Sequence, residues 1–254
     1  MIVQEAYVNI NHHNGCSTIT FYSPKSNSLP SHILQQLAAA ISAEGENKNC
    51  KVILLQSAGE GTFCAGASFD ELMAITTEEE GFQFFSGFAA VINAIRICPK
   101  FVLCRVQGKA TGGGVGIAAA ADYTLATEAA AIKLSELAVG IGPMVVGPAV
   151  ERKMGTSAAY ELAIDATTFR PATWAMQKGL YANIYLTIPE LDVAIVKLIQ
   201  ILTLSSPQAM TEIKKAFWVG TEHWHTLLPE RAAISGKLVL SEFTKNYIAS
   251  FKAK

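Results

Sequence analysis

A short apolar segment, a run of glycines and an alanine-rich segment follow one another between Arg105 and Asp122. Residues Phe101–Val106 are apolar and partly β-branched, which is typical of a buried strand. Glycines occupy positions 112–114, and residues 117–121 then favour a helix because they are rich in alanine. A turn of this kind leaves backbone N–H groups free at the positive end of the helix dipole. These groups could bind an anion, or an oxygen atom that becomes negative during a reaction.

Two known glycine motifs fit this stretch less well. Residues 114–119 match the dinucleotide-binding pattern G-x-G-x-x-A, with Glu136 at about the distance of a ribose-binding acid. That pattern requires the strand to run directly into the glycines, whereas residues 107–111 intervene here. A phosphate-binding loop requires a glycine five residues before Gly108, and Leu103 occupies that position. A plain tight turn is the other interpretation of the glycines.

Composition limits the classes of function that the chain can have. With 254 residues, 50% hydrophobic and 16% charged, it can bury a large core as one domain or as one domain with an appendage. A formal net charge of −1 without basic clusters argues against nucleic acid as a partner. We expect no membrane span, no signal peptide and, at residues 251–254, no peroxisomal signal. Five cysteines without a C-x-x-C pair predict reduced core thiols, as in a cytoplasmic protein.

The order of the predicted elements indicates an α/β fold. Two strands joined across residues 12–15 come first as a hairpin, and a helix with Ser31 as its N-cap follows. A further helix carries Phe82, Phe85 and Phe88 on one apolar face, a pattern that usually reflects core packing. Strand–loop–helix units recur along the chain, which favours repeated ββα or βα units. These units are expected at residues 50–73, 101–121 and 123–136.

The last quarter of the chain has a different, helical character. We therefore expect residues 1–190 to form the core and residues 191–254 to form a helical region used for oligomerisation. Trp224, Leu227 and Leu228 are candidates for a contact between subunits. The helices of this region are predicted at residues 191–204, 207–220 and 229–252.

Other chemistries are disfavoured by what the sequence lacks. It contains no G-x-S-x-G motif and no histidine near the glycines, so a Ser–His hydrolase is not expected. His223 and His225 could suggest metal ligands, but no third ligand lies nearby in the sequence. We expect no metal, and a surface or interface role for this pair.

Several segments match, in order and separation, those of one known family. They are residues 24–29, 63–67, 106–116, 120–122 and 134–140. With these segments the chain resembles the crotonase (enoyl-CoA hydratase/isomerase) superfamily over nearly its whole length. Its C-terminal part, residues 230–252, is most similar to 3-methylglutaconyl-CoA hydratase-like members. The resemblance implies a ClpP/crotonase-like spiral of ββα units with a C-terminal helical region, assembled as a homotrimer or a dimer of trimers.

The resemblance also implies an acyl-CoA substrate and an oxyanion hole. The thioester oxygen would accept hydrogen bonds from the backbone N–H groups of Ala67 and Gly113, both at predicted helix starts. Negative charge gathers on that oxygen when an enolate forms, and each donor can contribute about 3–4 kcal/mol. No cofactor is expected beyond the coenzyme A of the substrate. The residues that the resemblance assigns to substrate and CoA binding are Lys25, Ala65, Ala67, Ser68, Phe69, Asp70 and Gly113.

Hydratases of this family use two glutamates, and this chain has one of them. Gly116 stands at the first position and Glu136 at the second, which lies 136 − 116 = 20 residues later. Hydration needs a base for water and an acid for the α-carbon, which two carboxyl groups share. A single carboxylate can move a proton between carbons, or protonate an enolate formed by decarboxylation. We predict that Glu136 is a lone acid–base whose pKa is raised by burial among Leu134, Leu137 and Val139.

Further departures from the family bear on the substrate. Ser68 stands where the family usually has Asp, and bulky apolar residues at 144–146 replace glycines, which predicts a shorter or drier acyl pocket. A dry pocket favours isomerisation because it disfavours a nucleophilic water. Lys109 could pair with a carboxylate on the substrate, although a packed side-chain stem is the commoner role. Asp70 or Glu71 could replace the missing glutamate.

The sequence thus predicts an enoyl-CoA hydratase/isomerase that acts through an enolate held in an oxyanion hole, with one glutamate as acid–base. The alternatives are a 3-methylglutaconyl-CoA hydratase, an acyl-CoA decarboxylase and a catalytically silent CoA-binding subunit. Neither nucleic acid nor a membrane is expected as a partner.

Overall fold

The computed structural model describes residues 5–252, with the backbone alone described at 251 and 252. Residues 1–4 and 253–254 lie outside the described part of the chain. The first residues of the predicted core, and the last two residues of the C-terminal segment 251–254 considered above, are therefore not described. The described part of the chain contains eight strands. They are β1 (Tyr7–His13), β2 (Cys16–Tyr22), β3 (Val52–Ser57), β4 (Phe101–Val106), β5 (Ala110–Thr111), β6 (Tyr123–Thr127), β7 (Ile132–Lys133) and β8 (Asn183–Tyr185).

Six of these strands form one mixed sheet in the order β1-β2-β3-β4-β6-β8, and β5 pairs with β7 separately. β1 and β2 run antiparallel, whereas every pair from β2 to β8 is parallel. Parallel neighbours need crossover connections, and helices supply them here. The predicted α/β class is therefore confirmed.

The hairpin at the start of the chain is tighter than predicted. Only Asn14 and Gly15 form its turn, because β1 extends to His13 and β2 begins at Cys16. Asn14 has φ 48° and Gly15 has φ 81°, and positive φ at both central residues is what a two-residue type I′ turn requires. The predicted connection of residues 12–15 was too long, because His12 and His13 belong to β1.

The described residues also contain twelve helices. The prediction of a single helix at 229–252 is wrong. The helix is interrupted at residues 239–241, and its first part begins earlier, at Trp224. Pro229 lies inside that first part rather than at its start. The helices are α1 (Ser31–Glu46), α2 (Phe69–Ala74), α3 (Glu78–Ile97), α4 (Gly113–Ala120), α5 (Glu136–Val139), α6 (Gly147–Met154), α7 (Thr156–Ile164), α8 (Ala172–Gln177), α9 (Ile188–Leu204), α10 (Pro207–Phe217), α11 (Trp224–Leu238) and α12 (Glu242–Lys252).

The start of α1 is held by another helix rather than by its own cap. Pro30 occupies the N-cap position and makes no side-chain capping bond, so the prediction of Ser31 as N-cap is wrong. Ser31 is the first helical residue, and its backbone N–H and hydroxyl donate to Glu71 Oε2 at 2.9 and 2.6 Å. A carboxylate satisfies a free N–H group at the positive end of the helix, which stabilises this helix start.

The C-terminal helices share the main core with the sheet. Trp224 is 5% exposed and Leu228 is fully buried in that core, while Leu227 packs partly against it. The prediction that these side chains form a subunit contact is therefore wrong for Trp224 and Leu228. α11 packs closely on α3, where a Cβ atom at Gly81 would lie 2.7 Å from the backbone of Gly236.

All five cysteines are buried and unpaired in the described structure, so the predicted core thiols are confirmed. Burial raises the pKa of the Cys64 thiol to about 12 and that of the Cys16 thiol to about 11, and so keeps both protonated. None of the helices within residues 5–252 is long and apolar enough to cross a membrane.

Candidate active site

A cavity of about 440 Å³ lies beside the start of α4. β3 and β4 are parallel neighbours, with Gln56 opposite Arg105, so the loops that follow them leave the same edge of the sheet. These two loops carry Ala67 and Gly113, and α3, α5 and the segment after α5 complete the walls. Ligands commonly bind at this edge of a parallel sheet.

The two loops are fixed against each other by the backbone. Thr111 N–H donates to Cys64 O at 2.9 Å. Gly66 has φ 95°, and a Cβ atom there would lie 3.1 Å from Thr111 O and 3.8 Å from Gly113 N. Only a glycine allows both this φ and this close approach.

Ala67 and Gly113 lie at this junction and both line the cavity. Within residues 5–252, neither N–H donates a hydrogen bond to a protein acceptor. Gly113 is the first residue of α4, where free N–H groups are expected. The structure thus brings together the two predicted oxyanion donors, and both are available to a ligand.

Glycine is required at the start of α4 by two close neighbours. Gly112 has φ 53° and ψ −116°, and a Cβ atom there would lie 2.9 Å from Glu136 Oε1. A Cβ atom at Gly113 would overlap the ring of Phe88 on α3. The glycines therefore serve more than a turn, because they let a carboxylate and an aromatic ring approach the backbone.

Glu136 is the first residue of α5 and points into the cavity. Its Oε2 atom is buried and accepts no hydrogen bond from the described residues. Burial raises the pKa of this carboxyl group to about 7, and its own backbone N–H opposes the effect only in part. The predicted rise in pKa through burial is confirmed, although Leu137 is 49% exposed and does not contribute as expected. Leu134 is buried beneath the site, and Val139 lines the cavity.

The predicted CoA-binding residues divide into two groups. Lys25, Ala65 and Phe69 line the cavity together with the two oxyanion residues. Ser68 and Asp70 do not line it, because they are engaged elsewhere. The Ser68 hydroxyl caps α2 by accepting from the Glu71 N–H at 3.4 Å, and Asp70 forms an exposed ion pair with Lys25. At position 68, where the family usually has aspartate, this chain therefore has a serine that caps α2.

Glu136 is the only carboxylate that lines the cavity within the described residues. Asp70 is paired with Lys25 at the surface. Glu71 is held by the start of α1, where Ser31 donates to it twice. The suggestion that either acid replaces the missing glutamate finds no support in this arrangement.

The position of the missing glutamate is filled by a neighbouring side chain. A Cβ atom at Gly116 would overlap Val146 Cγ1 and lie 2.7 Å from Val146 Cβ. Val146 is 4% exposed and lines the cavity together with Met144 and Val145. The predicted apolar residues near the acid are therefore in place. Any side chain at position 116 would require Val146 to move.

Lys109 lies outside the cavity, with its ammonium group 5.1 Å from the centre of the Phe169 ring. Lys133 stacks on the same ring at 4.4 Å. A cation placed over an aromatic ring is a stabilising surface arrangement. The idea that Lys109 pairs with a substrate carboxylate in this site is therefore not supported.

Sequence reasoning missed part of the cavity wall. Phe84, Phe85 and Phe88 line it, whereas Phe82, from the predicted stripe, does not. Phe84 is 5% exposed and contacts Phe85 edge-on at 5.1 Å between ring centres. Ser235 of α11 also lines the cavity, and no local pattern could indicate a contact between elements so far apart in the chain.

The histidine pair in the C-terminal region does not form a metal site. His225 Nδ1 lies 2.6 Å from Glu222 O. Among residues 5–252 no group of three or more His, Cys, Asp or Glu side chains is placed to hold a metal ion.

Comparisons with known proteins define the class of this chain. The crystal structure of an enoyl-CoA hydratase from Bacillus halodurans has the same fold, with a TM-score of 0.89 over 96% of this chain and 99% of that one, at 20% sequence identity. This identifies a crotonase fold. The family model described as enoyl-CoA hydratase/isomerase matches residues 11–246. The chain belongs to the enoyl-CoA hydratase/isomerase family, and the predicted resemblance is confirmed.

Individual relatives carry out different reactions. Human mitochondrial methylglutaconyl-CoA hydratase is 34% identical over 141 residues, which cover 55% of this chain and 41% of the hydratase. The peroxisomal Delta(3,5)-Delta(2,4)-dienoyl-CoA isomerase of Arabidopsis thaliana is 27% identical over 203 residues, or 74% of this chain and 71% of the isomerase. The match to the hydratase spans less than half of that protein's length.

Proposed function

We propose that this chain moves a carbon–carbon double bond of an enoyl-CoA thioester from the β,γ to the α,β position. Glu136 is the single acid–base in this proposal. The observation that carries it is the lone carboxylate of the cavity, whose Oε2 is buried and unpartnered within residues 5–252 and whose pKa is raised to about 7. A general base works best when its pKa is close to the pH at which it operates.

The proton transfers balance with one carboxyl group. Glu136 removes a proton from C2 of the 3-enoyl thioester, and the electron pair of the broken C–H bond moves towards the thioester oxygen. The N–H groups of Ala67 and Gly113 stabilise the negative oxygen of this dienolate. The proton on the Glu136 carboxyl group exchanges with solvent, and Glu136 then delivers a proton to C4, which leaves the double bond between C2 and C3. No water is consumed or released.

The apolar wall supports this reaction over hydration. Phe88, Val145 and Val146 lie along the cavity, and Glu136 is its only carboxylate within the described part of the chain. Hydration needs a water molecule held near the β-carbon, and a water site needs two to four polar partners. The side chains at residues 144–146, which line the cavity, are apolar and supply no such partner.

The test is proton exchange followed by mass spectrometry. The protein is incubated in deuterated water with 3-hexenoyl-CoA, and with crotonyl-CoA and 3-methylglutaconyl-CoA in parallel. We expect a shifted double bond and incorporated deuterium with 3-hexenoyl-CoA, without a gain of water. Exchange that persists unchanged in Glu136→Gln would refute the assignment.

Hydration of methylglutaconyl-CoA is the second candidate, favoured by the similarity to the human hydratase. That acyl group carries a second carboxylate. Lys25 is the only cation that lines the cavity among residues 5–252, and it is paired with Asp70. A gain of water with 3-methylglutaconyl-CoA in the same assay would favour this candidate. Loss of carbon dioxide from a carboxylated acyl-CoA would indicate a decarboxylase, and CoA binding without turnover would indicate a silent subunit.

Assembly and location are also proposals. Exposed apolar side chains along α9 and α10, among them Leu204 at 88% and Phe217 at 75%, support a homotrimer or a dimer of trimers with this helical region at its contacts. Light scattering that gives the mass of a monomer would exclude this assembly. A cytoplasmic location is supported by five unpaired thiols.

A further inference from the structure

We infer that Val146 determines the outcome of the reaction, because it fills the space beside the Glu136 carboxylate where a reacting water would stand. This inference rests on the proposed isomerisation. It concerns what excludes the competing addition of water, which the proposed function leaves open.

The side chains of Val146 and Glu136 approach α4 about one turn apart. The Gly116 N–H donates to Gly112 O at 3.2 Å, so the two glycines lie one helical turn apart on the same face. Glu136 Oε1 faces Gly112, and Val146 faces Gly116. One turn of helix rises about 5.4 Å. The isopropyl group of Val146 therefore lies about one turn along this face from the carboxylate.

Glycine at position 116 makes this contact possible. A Cβ atom there would overlap Val146 Cγ1, so the valine occupies the volume next to the helix backbone completely. Val146 itself is 4% exposed, although it lines the cavity. Its position thus leaves no room for a water against this turn of α4, on the face where Glu136 Oε1 approaches Gly112.

A water admitted there would open a second reaction on the 2-enoyl product. Glu136 would accept a proton from the water while the water oxygen forms a bond to C3. The electron pair of the double bond would move towards the thioester oxygen, held by Ala67 and Gly113. Glu136 would then deliver its proton to C2, which gives a 3-hydroxyacyl-CoA. The balance is one enoyl-CoA and one water for each product.

The experiment compares Val146→Ala with Val145→Ala. Replacing Val146 by alanine removes two methyl groups and frees at least the roughly 30 Å³ that one water occupies. Val145→Ala is the matched control, because it makes the same change in the same cavity wall without a contact at Gly116. The readout is 3-hydroxyhexanoyl-CoA formed from 2-hexenoyl-CoA, measured together with isomerisation of 3-hexenoyl-CoA.

We expect hydration by Val146→Ala to exceed that of the unchanged protein and of Val145→Ala at least tenfold. If Val146→Ala fails to fold, Val146→Ser gives the same test, because serine is smaller than valine and carries a hydroxyl group that can bind water. Hydration that stays at the unchanged level in a folded variant would overturn the inference. An equal gain in Val145→Ala, or efficient hydration by the unchanged protein, would also overturn it.

The two proposals fail in different ways. Absence of isomerisation that depends on Glu136 refutes the proposed function, whatever the Val146 variants do. Isomerisation that proceeds normally, with no gain of hydration in either Val146 variant, refutes only the role of Val146.

Discussion

Two carboxylates near α4 have opposite surroundings. Asp122 follows the helix, and both of its oxygens are bonded. Its Oδ2 accepts from Val102 N and Lys214 Nζ, each at 2.7 Å, and its Oδ1 accepts from Trp218 Nε1 at 2.9 Å. Glu136 is partly exposed at the other end of the helix, and its Oε2 is buried and has no partner within residues 5–252.

The difference separates a structural acid from the proposed reactive one. The bonds to Asp122 tie β4 and α10 to the end of α4, and the paired Lys214 is only 3% exposed. A buried carboxylate with full partners fixes the chain around it. Where a buried carboxylate lacks such partners, its ionised form is less stable, so its pKa rises and it takes up a proton more easily at neutral pH. The same residue class thus supports the fold at one site and, in the proposed function, chemistry at the other.

The largest expected effect comes from removing the reactive acid. Glu136→Gln keeps the size of the side chain and abolishes its proton transfer, so kcat for isomerisation should fall by about 10²–10⁴-fold. CoA affinity should change little, because the amide occupies the same volume. Deuterium exchange and a direct binding measurement check this outcome. A variant with normal kcat would place the acid–base elsewhere.

The matched change at the structural acid should act on stability instead. Asp122→Asn leaves the buried Lys214 without its charge partner, and such a loss typically destabilises by about 3–5 kcal/mol. The free energy of unfolding in urea measures this effect. The activity of the folded fraction should remain within a few-fold of normal, since Asp122 does not line the cavity. Normal stability in this variant would remove the basis of the comparison.

Glu136→Gln should also change stability, with the opposite sign and a dependence on pH. Burial raises the pKa of Glu136 from 4.5 to about 7, so the folded state binds more protons between these values and loses stability as the pH rises. Glutamine avoids this loss. The variant should be more stable by about 3 kcal/mol at pH 8 and by less than about 1 kcal/mol at pH 5. Thermal unfolding across this range tests the prediction, and a stabilisation independent of pH would contradict it.

The two carboxylates also show what sequence can and cannot predict. Glu136 was found because its distance from Gly116 matches a family pattern, and its apolar neighbours predicted the direction of its pKa shift. Free N–H groups at the helix starts were expected from local structure, and the resemblance assigned Ala67 and Gly113 as the predicted oxyanion donors. Family spacing and local rules together therefore pointed to these candidate groups. The α/β class followed similarly from alternating strands and helices.

Contacts between distant segments were not predictable in this way. Nothing near Gly116 in the sequence indicates that Val146 fills its space, and nothing near Ser31 indicates Glu71. The prediction of a subunit contact at Trp224 failed because the side chain is buried within the chain itself. An apolar residue on a helix does not reveal which surface covers it. These errors share one cause, which is that packing partners are set by the tertiary fold.

The smallest expected effect concerns a third carboxylate that is neither buried nor unpartnered. The side chains of Asp70 and Lys25 are 58% and 68% exposed, and exposed ion pairs contribute about 0–1 kcal/mol. Asp70→Asn should therefore change the free energy of unfolding by less than about 1 kcal/mol and leave kcat unchanged. The released Lys25 should lower KM for the anionic CoA thioester at low salt, and the gain should fade at high salt. Lys25→Ala is the control, and it should raise KM. A loss of kcat in Asp70→Asn would contradict the idea that an exposed, paired carboxylate takes no part in the reaction.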